Sequence, residues 1–221
     1  MQSVVAVRDV LVRCRWYAVA GAVSSIAATL RSREPVRVTY DGRDWRHAWG
    51  DSHTLYSEVP WSAPRQLTEQ FLPLFFHDYR PGPGDLVVDC GAGIGTEIRA
   101  LSQQVGTTGR VIAIEAGADA HRRLARMVAD LPVPNVEAIQ VAVSDWSGAG
   151  AFLSTDGIDG AADYLVRASS GPESLTGTVQ VATLEEVLQS RGVERVDYLR
   201  MNIEGEEARA LRGLGRLLPE V

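Results

Sequence analysis

The chain has 221 residues, 45% hydrophobic, 23% charged and 7% aromatic, which suits one well-packed domain with an appendage and is cramped for two full domains. Twenty-eight acidic residues against 22 basic give a net charge of -6, which argues against a nucleic-acid partner held by bulk electrostatics and favours a small neutral or cationic ligand. Every basic residue is arginine, so a catalytic lysine, a Schiff base and a phosphate-binding lysine of the P-loop kind are excluded.

Charge is unevenly placed. Residues 1–50 carry eight arginines against four acids, net +4, and residues 51–221 carry 14 arginines against 24 acids, net -10. The basic end is too mild for a nucleic-acid arm. Cys14 and Cys90 are too few for a disulfide scaffold or a thiolate metal site, so a reducing, cytoplasmic setting is expected.

The first periodic segment is apolar at Val12, Trp16, Val19, Val23, Ile26 and Leu30, three- and four-residue steps that predict an amphipathic helix. Arg8, Arg13 and Arg15 before it imitate a targeting signal. The apolar run is broken by Ser24, Ser25 and Thr29 and is too short to span a bilayer, so no membrane partner is expected. Residues 36–40 alternate as a strand, Asp41-Gly42 is a turn pair, and a return strand over 43–49 places Trp45, His47 and Trp49 on one face. His47 and His53 belong to an aromatic segment running to Trp61, which reads either as a lid over a substrate or as core for the N-terminal layer. Leu67, Phe71, Leu74 and Phe75 mark a short helix, and Pro81-Gly82-Pro83-Gly84 is a rigid turn. That turn divides an N-terminal segment, 1–80, from a body, 81–221.

In the body, strand and helix patterns alternate. Strands are predicted over 86–90, 111–115, 136–143 and 196–203, and helices over 96–105, 119–131, 184–191 and 206–218, the last with Leu211, Leu214 and Leu218 inward. Short strands over 151–154 and 178–182 flank a Gly- and Ser-rich loop as an inserted hairpin. This is the pattern of an α/β fold, a doubly wound parallel sheet with helices on both faces.

The loop Asp89-Cys90-Gly91-Ala92-Gly93-Ile94-Gly95 joins the first of these strands to the first helix, where glycines let a ligand approach the backbone. Position 96 is Thr, so the G-x-G-x-x-G dinucleotide fingerprint is not met, and Asp89 would repel a pyrophosphate. The ammonium and sulfonium of S-adenosylmethionine would instead be attracted by the same carboxylate. The reading therefore gives Asp89, Gly91, Gly93 and Gly95 to a cofactor of that kind. Glu115, at the end of the second strand, is placed to accept ribose hydroxyls or is a surface acid. Ala142 and Val143 end the third strand, where backbone contacts to adenine fall.

These segments, with Val111-Ile112-Ala113-Ile114-Glu115, Val141-Ala142-Val143-Ser144-Asp145 and above all Val196-Asp197-Tyr198-Leu199-Arg200-Met201-Asn202-Ile203-Glu204-Gly205-Glu206-Glu207, resemble the FkbM-type methyltransferases over 84–218. The resemblance implies a Rossmann-like class I methyltransferase sheet, S-adenosylmethionine as cofactor and O-methylation of a sugar or secondary metabolite. Three positions depart from it. Gly93 stands where the family has Asn, Ala116 where it has Pro, and Arg200-Met201-Asn202 where it has Lys-Ile-Asp, so a carboxylate has become an amide.

For a hydroxyl acceptor such an enzyme supplies alignment, water exclusion and a base. Glu204 reads as base or acceptor contact, or as a cap of the following helix. Asn202 and His77 complete the catalytic candidates, His77 beside Asp78 being also a common surface pairing. No metal site is expected. The alternatives are a catalytically silent cofactor-binding or interaction protein, suggested by Asn202, and a dinucleotide-dependent oxidoreductase. Because a sheet of this kind continues past Leu218, the reading expects missing C-terminal strands, a sticky edge at 196–203 and self-association through it.

Overall fold

Alternation of period two ends near Tyr56 and strand-helix alternation begins at Leu86. The computed structural model describes residues 2–50, 52–59, 73–153, 164–167 and 175–217 and separates the chain into two units, 1–77 and 78–221.

The N-terminal unit opens with helices α1 (Gln2–Arg13) and α2 (Tyr17–Ser32), followed by β1 (Val36–Tyr40), β2 (Trp45–Trp49) and β3 (Ser52–Tyr56) in one antiparallel sheet, order β1-β2-β3. The periodicity at 12–30 predicts one helix, and the structure breaks it. Arg15 takes a left-handed conformation (φ 61°) and the Trp16 amide turns back to the Leu11 carbonyl, which ends α1 before α2 begins. The inward face also differs from the pattern. Ala20, Gly21 and Ser24 are buried, and a Cβ on Gly21 would stand 2.7 Å from the Val38 carbonyl oxygen. Ser25 Oγ and Thr29 Oγ1 accept the Val38 and Val36 amides at 2.8 and 2.9 Å, so α2 satisfies the free edge of β1 with hydroxyls. Close approach to a strand edge requires small side chains, and this turns the large apolar ones outward.

The turn between β1 and β2 forms as its residues predict, with the Asp41 carboxylate accepting the Arg43 and Asp44 amides. Trp45 packs with Val36, Val38 and Ala20, and His47 is buried on the same side of the strand. The predicted helix at Leu67 and Phe71, and the aromatic segment from residue 60 to Trp61, lie outside the described residues.

In the C-terminal unit a parallel sheet of order β11-β4-β5-β6 is built from β4 (Leu86–Cys90), β5 (Arg110–Ile114), β6 (Val136–Ile139) and β11 (Tyr198–Met201). Helices α3 (Ile98–Val105) and α4 (Ala118–Ala129) are its crossovers, and α5 (Leu184–Gln189) and α6 (Glu207–Arg212) follow later. Its core gathers Val88, Cys90, Ile112, Ile114, Val143, Leu184, Leu188 and Leu214. The fold is α/β with a parallel central sheet, as the alternation predicts.

The expected strand over 136–143 is two strands. Beyond β6 the chain leaves the central sheet, and β7 (Ala142–Ser144) pairs in parallel with β10 (Leu175–Thr183). With β8 (Gly148–Leu153) and β9 (Tyr164–Arg167) they form a second sheet of order β7-β10-β8-β9. The predicted insert is thus part of a four-stranded sheet, which single-strand periodicity does not reveal. Leu214 points inward as expected, Leu211 is exposed, and Leu218 lies outside the described residues. Among the described residues β11 is an edge of its sheet.

Candidate functional site: a glycine loop at the carboxyl ends of three strands

Strands β4, β5 and β11 end side by side, and the turns that follow them meet. Gly91 and Ala92 donate to the Ile114 carbonyl at 2.9 and 3.0 Å, tying the loop after β4 to the end of β5. The Asn202 amide donates to the Cys90 carbonyl at 2.9 Å, tying the end of β11 to the same loop.

The three glycines of the loop all have positive φ, 79° at Gly91, 55° at Gly93 and 87° at Gly95, but they serve different ends. A Cβ on Gly91 would fall 2.0 Å from the Asn202 carbonyl oxygen, and one on Gly95 2.3 Å from Met127 Cε of α4. Those two are required by packing. Around Gly93 a Cβ would meet nothing within 4 Å, so here the backbone faces open space and a ligand has room to approach.

Glu115 clamps this geometry. Its two carboxylate oxygens accept the amides of Gly93 at 2.8 Å and Gly117 at 2.7 Å. Burial pushes its carboxyl up, against the two amides that favour the charged form. Each oxygen keeps a second lone pair, so the clamp leaves acceptor capacity for hydroxyls.

Asp89 is wholly buried, and its Oδ1 accepts from Arg200 Nη1 at 2.6 Å. Its Oδ2 has no hydrogen-bond partner among the described residues. Burial drives the Asp89 carboxyl up while Arg200 pulls it down. The sequence argument treats Asp89 as an uncompensated anion, and the structure corrects that by supplying Arg200 from β11. Glu97, at the start of α3, is a second acid near Arg200: burial is the largest influence on it and raises its carboxyl, with Arg200 opposing. Neither Glu97 nor the Arg200 contact was singled out from the sequence, because the pair joins positions 111 apart.

On the β11 side, Asn202 and Glu204 are exposed. Glu204 has a left-handed backbone (φ 54°), unusual for a non-glycine residue and held by Glu207, which accepts the Ile203 amide at 2.9 Å and the Gly205 amide at 3.0 Å. Ala142 and Val143 are buried, and their backbones pair with Val181 and Ala182 in the second sheet. His77 is exposed and is the last residue of the N-terminal unit. Among the described residues no three His, Cys, Asp or Glu gather as a metal site.

A parallel α/β sheet with a glycine loop and an acid after the second strand that clamps it defines a nucleoside-cofactor-binding protein. The Methyltransferase FkbM domain model matches residues 89–221, and the chain belongs to that family of S-adenosylmethionine-dependent enzymes. No curated protein matches the chain. Among solved structures it is similar to an S-adenosylmethionine-dependent methyltransferase from Aquifex aeolicus, at 27% identity and a TM-score of 0.27, over 35% of this chain and 37% of that one. It is also similar to methyltransferase FkbM from Methylobacillus flagellatus, at 18% identity and a TM-score of 0.44, over 68% of this chain and 35% of that one. The chain thus spans little more than a third of the length of either structure.

The residues present fit the family's cofactor. Open backbone at Gly93 suits a closely approaching ligand, and Asp89 Oδ2 is an acceptor without a donor among the described residues.

Proposed function

We propose that the C-terminal unit transfers a methyl group from S-adenosylmethionine to a hydroxyl of a sugar or secondary metabolite. The observation that carries this reading is the contact between the two turns: the Asn202 carbonyl lies against Gly91, so the acid-bearing turn after β11 is held beside the cofactor loop.

In this reading Gly93 admits the cofactor, Glu115 both clamps the loop and accepts ribose hydroxyls, and Asp89 with Glu97 balances the cationic end. The cofactor supplies a methyl carbon activated by its sulfonium. When bound, it would give that carbon to the acceptor oxygen and keep the carbon-sulfur electron pair on its own sulfur. Glu204, exposed at the turn, takes the acceptor proton, and the Asn202 amide orients the hydroxyl.

A donor-binding protein without turnover is the competing reading, favoured by Asn202 where the family carries an acid. Incubation with methyl-labelled donor and a panel of hydroxylated acceptors tests both. Labelled product that falls at least tenfold in Glu204→Gln, with donor affinity unchanged, supports transfer. Donor binding with no product across the panel, and none after Asn202→Asp, favours the silent reading.

A further inference from the structure

Helix α2 turns its amphipathicity outward. Its small residues face β1, and its large apolar ones face solvent: Ile26 is 63% exposed, Leu30 76% and Val19 46%. At 3.6 residues per turn these three fall within about 40° of arc, a single stripe. Trp16, at the N-terminal end of the helix, is 63% exposed beside it.

Both ends of the stripe carry arginine where a helix terminus ordinarily places glycine. Arg15 ends α1 at φ 61° and Arg33 ends α2 at φ 58°, and both side chains are exposed. Among the described residues only one other non-glycine, Glu204, has positive φ. A chain with 21 glycines therefore keeps two strained cations at these positions. Arg13 and Arg31 are exposed next to them. The surrounding sequence, residues 1–50, is net +4 in a chain that is net -6.

We propose that the outer face of α2 binds an anionic lipid surface, with Trp16, Val19, Ile26 and Leu30 entering the headgroup boundary and the flanking arginines meeting phosphates. Such a helix lies in the plane of the interface and needs no spanning length, and among the described residues no helix is long and apolar enough to cross a membrane. A helix too short to span a bilayer can still make this contact. A second copy of the chain is disfavoured as the occupant, because two such faces meeting would oppose arginine to arginine at both ends. The inference is independent of the methyl-transfer reading.

Vesicle flotation of the full chain tests it, using phosphatidylcholine vesicles with and without phosphatidylserine, and light scattering of the free protein. The chain is expected to float with the phosphatidylserine vesicles, to be released by salt, and to stay behind with phosphatidylcholine alone. The variant Arg15→Gly/Arg33→Gly relieves backbone strain, so its circular dichroism and melting should hold while vesicle affinity falls about fivefold for each arginine removed. Ile26→Asn/Leu30→Asn should remove binding at an exposed position that the fold does not need. Absence of flotation, equal binding to both vesicles, or unchanged binding in both variants would overturn the proposal. So would a dimer that Ile26→Asn/Leu30→Asn dissolves, which would assign the face to a second copy.

Discussion

Asp89 and Arg200 illustrate why a motif acid cannot be probed by simple deletion. Asp89 is wholly buried and Arg200 nearly so, at a side-chain exposure of 10%. Asp89→Ala removes the carboxylate hydrogen-bonded to a buried guanidinium and is expected to lower stability by about 3–5 kcal/mol in urea titration. Asp145→Ala removes a bond to the exposed Arg212 and should change stability little, so equal midpoints in the two variants would contradict the pairing. His47 makes a separate prediction. It is buried in β2, neither ring nitrogen has a hydrogen bond among the described residues, and burial lowers its pKa from 6.5 to about 4. The unfolded chain therefore binds the proton first. The His47 contribution is complete above pH 6.5 and is lost as pH falls through about 4, amounting to about 3 kcal/mol. His47→Leu should flatten that acid limb when unfolding is followed by tryptophan fluorescence. An unchanged limb would show that the histidine is not the group responsible. Glu97 has the opposite sign. Its raised carboxyl makes the folded state hold the proton more tightly, so stability is lost as pH climbs above 4.5, and Glu97→Gln should gain on the parent over that range in paired melting curves. A Glu97→Gln variant that tracks the parent would contradict burial as the cause.

The glycine loop is the element on which the account is most exposed. Gly93 and Gly106 both have positive φ, 55° and 64°, and a Cβ meets nothing within 4 Å at either, but a ψ of -167° puts Gly106 in a region that glycine alone adopts readily. Alanine should therefore cost at least as much stability at Gly106 as at Gly93, about 1–3 kcal/mol, through backbone strain alone. Only Gly93→Ala should lose cofactor affinity, measured by titration, because only Gly93 lies in the loop. Equal loss at Gly106, which ends α3, would make the effect one of stability. The loop was legible from the sequence because its signal is local, a strand, three glycines and a helix between Leu86 and Val105. Helix α2 was misread for a physical reason. Periodicity reports which residues share a face but not which face is buried, and the hydroxyl contacts of Ser25 and Thr29 to β1 decide that. The strand over 136–143 failed similarly, since a continuous apolar run does not say that Ala142 and Val143 have left one sheet for another.

At the scale of the whole molecule, what was readable was the order of elements, and what was hidden was the set of contacts between distant ones. The alternation from Leu86 onward gave the parallel sheet, and the residues at its carboxyl edge are those named from the motifs: Gly91, Gly93 and Glu115 after β4 and β5, Asn202 and Glu204 after β11. The clamp of Glu115 on Gly93, the Arg200 that compensates Asp89, and the Glu207 that holds Glu204 in its strained turn all required the fold to be seen. These contacts make the central claim a claim about one place, the open backbone at Gly93 within the C-terminal unit. Isothermal titration calorimetry of the full chain with S-adenosylmethionine tests it most directly. The account predicts saturable binding that weakens at least tenfold in Gly93→Ala and is retained in Gly106→Ala, with no binding of NAD. Absence of binding to the parent chain, tighter binding of NAD, or undiminished affinity in Gly93→Ala would contradict it.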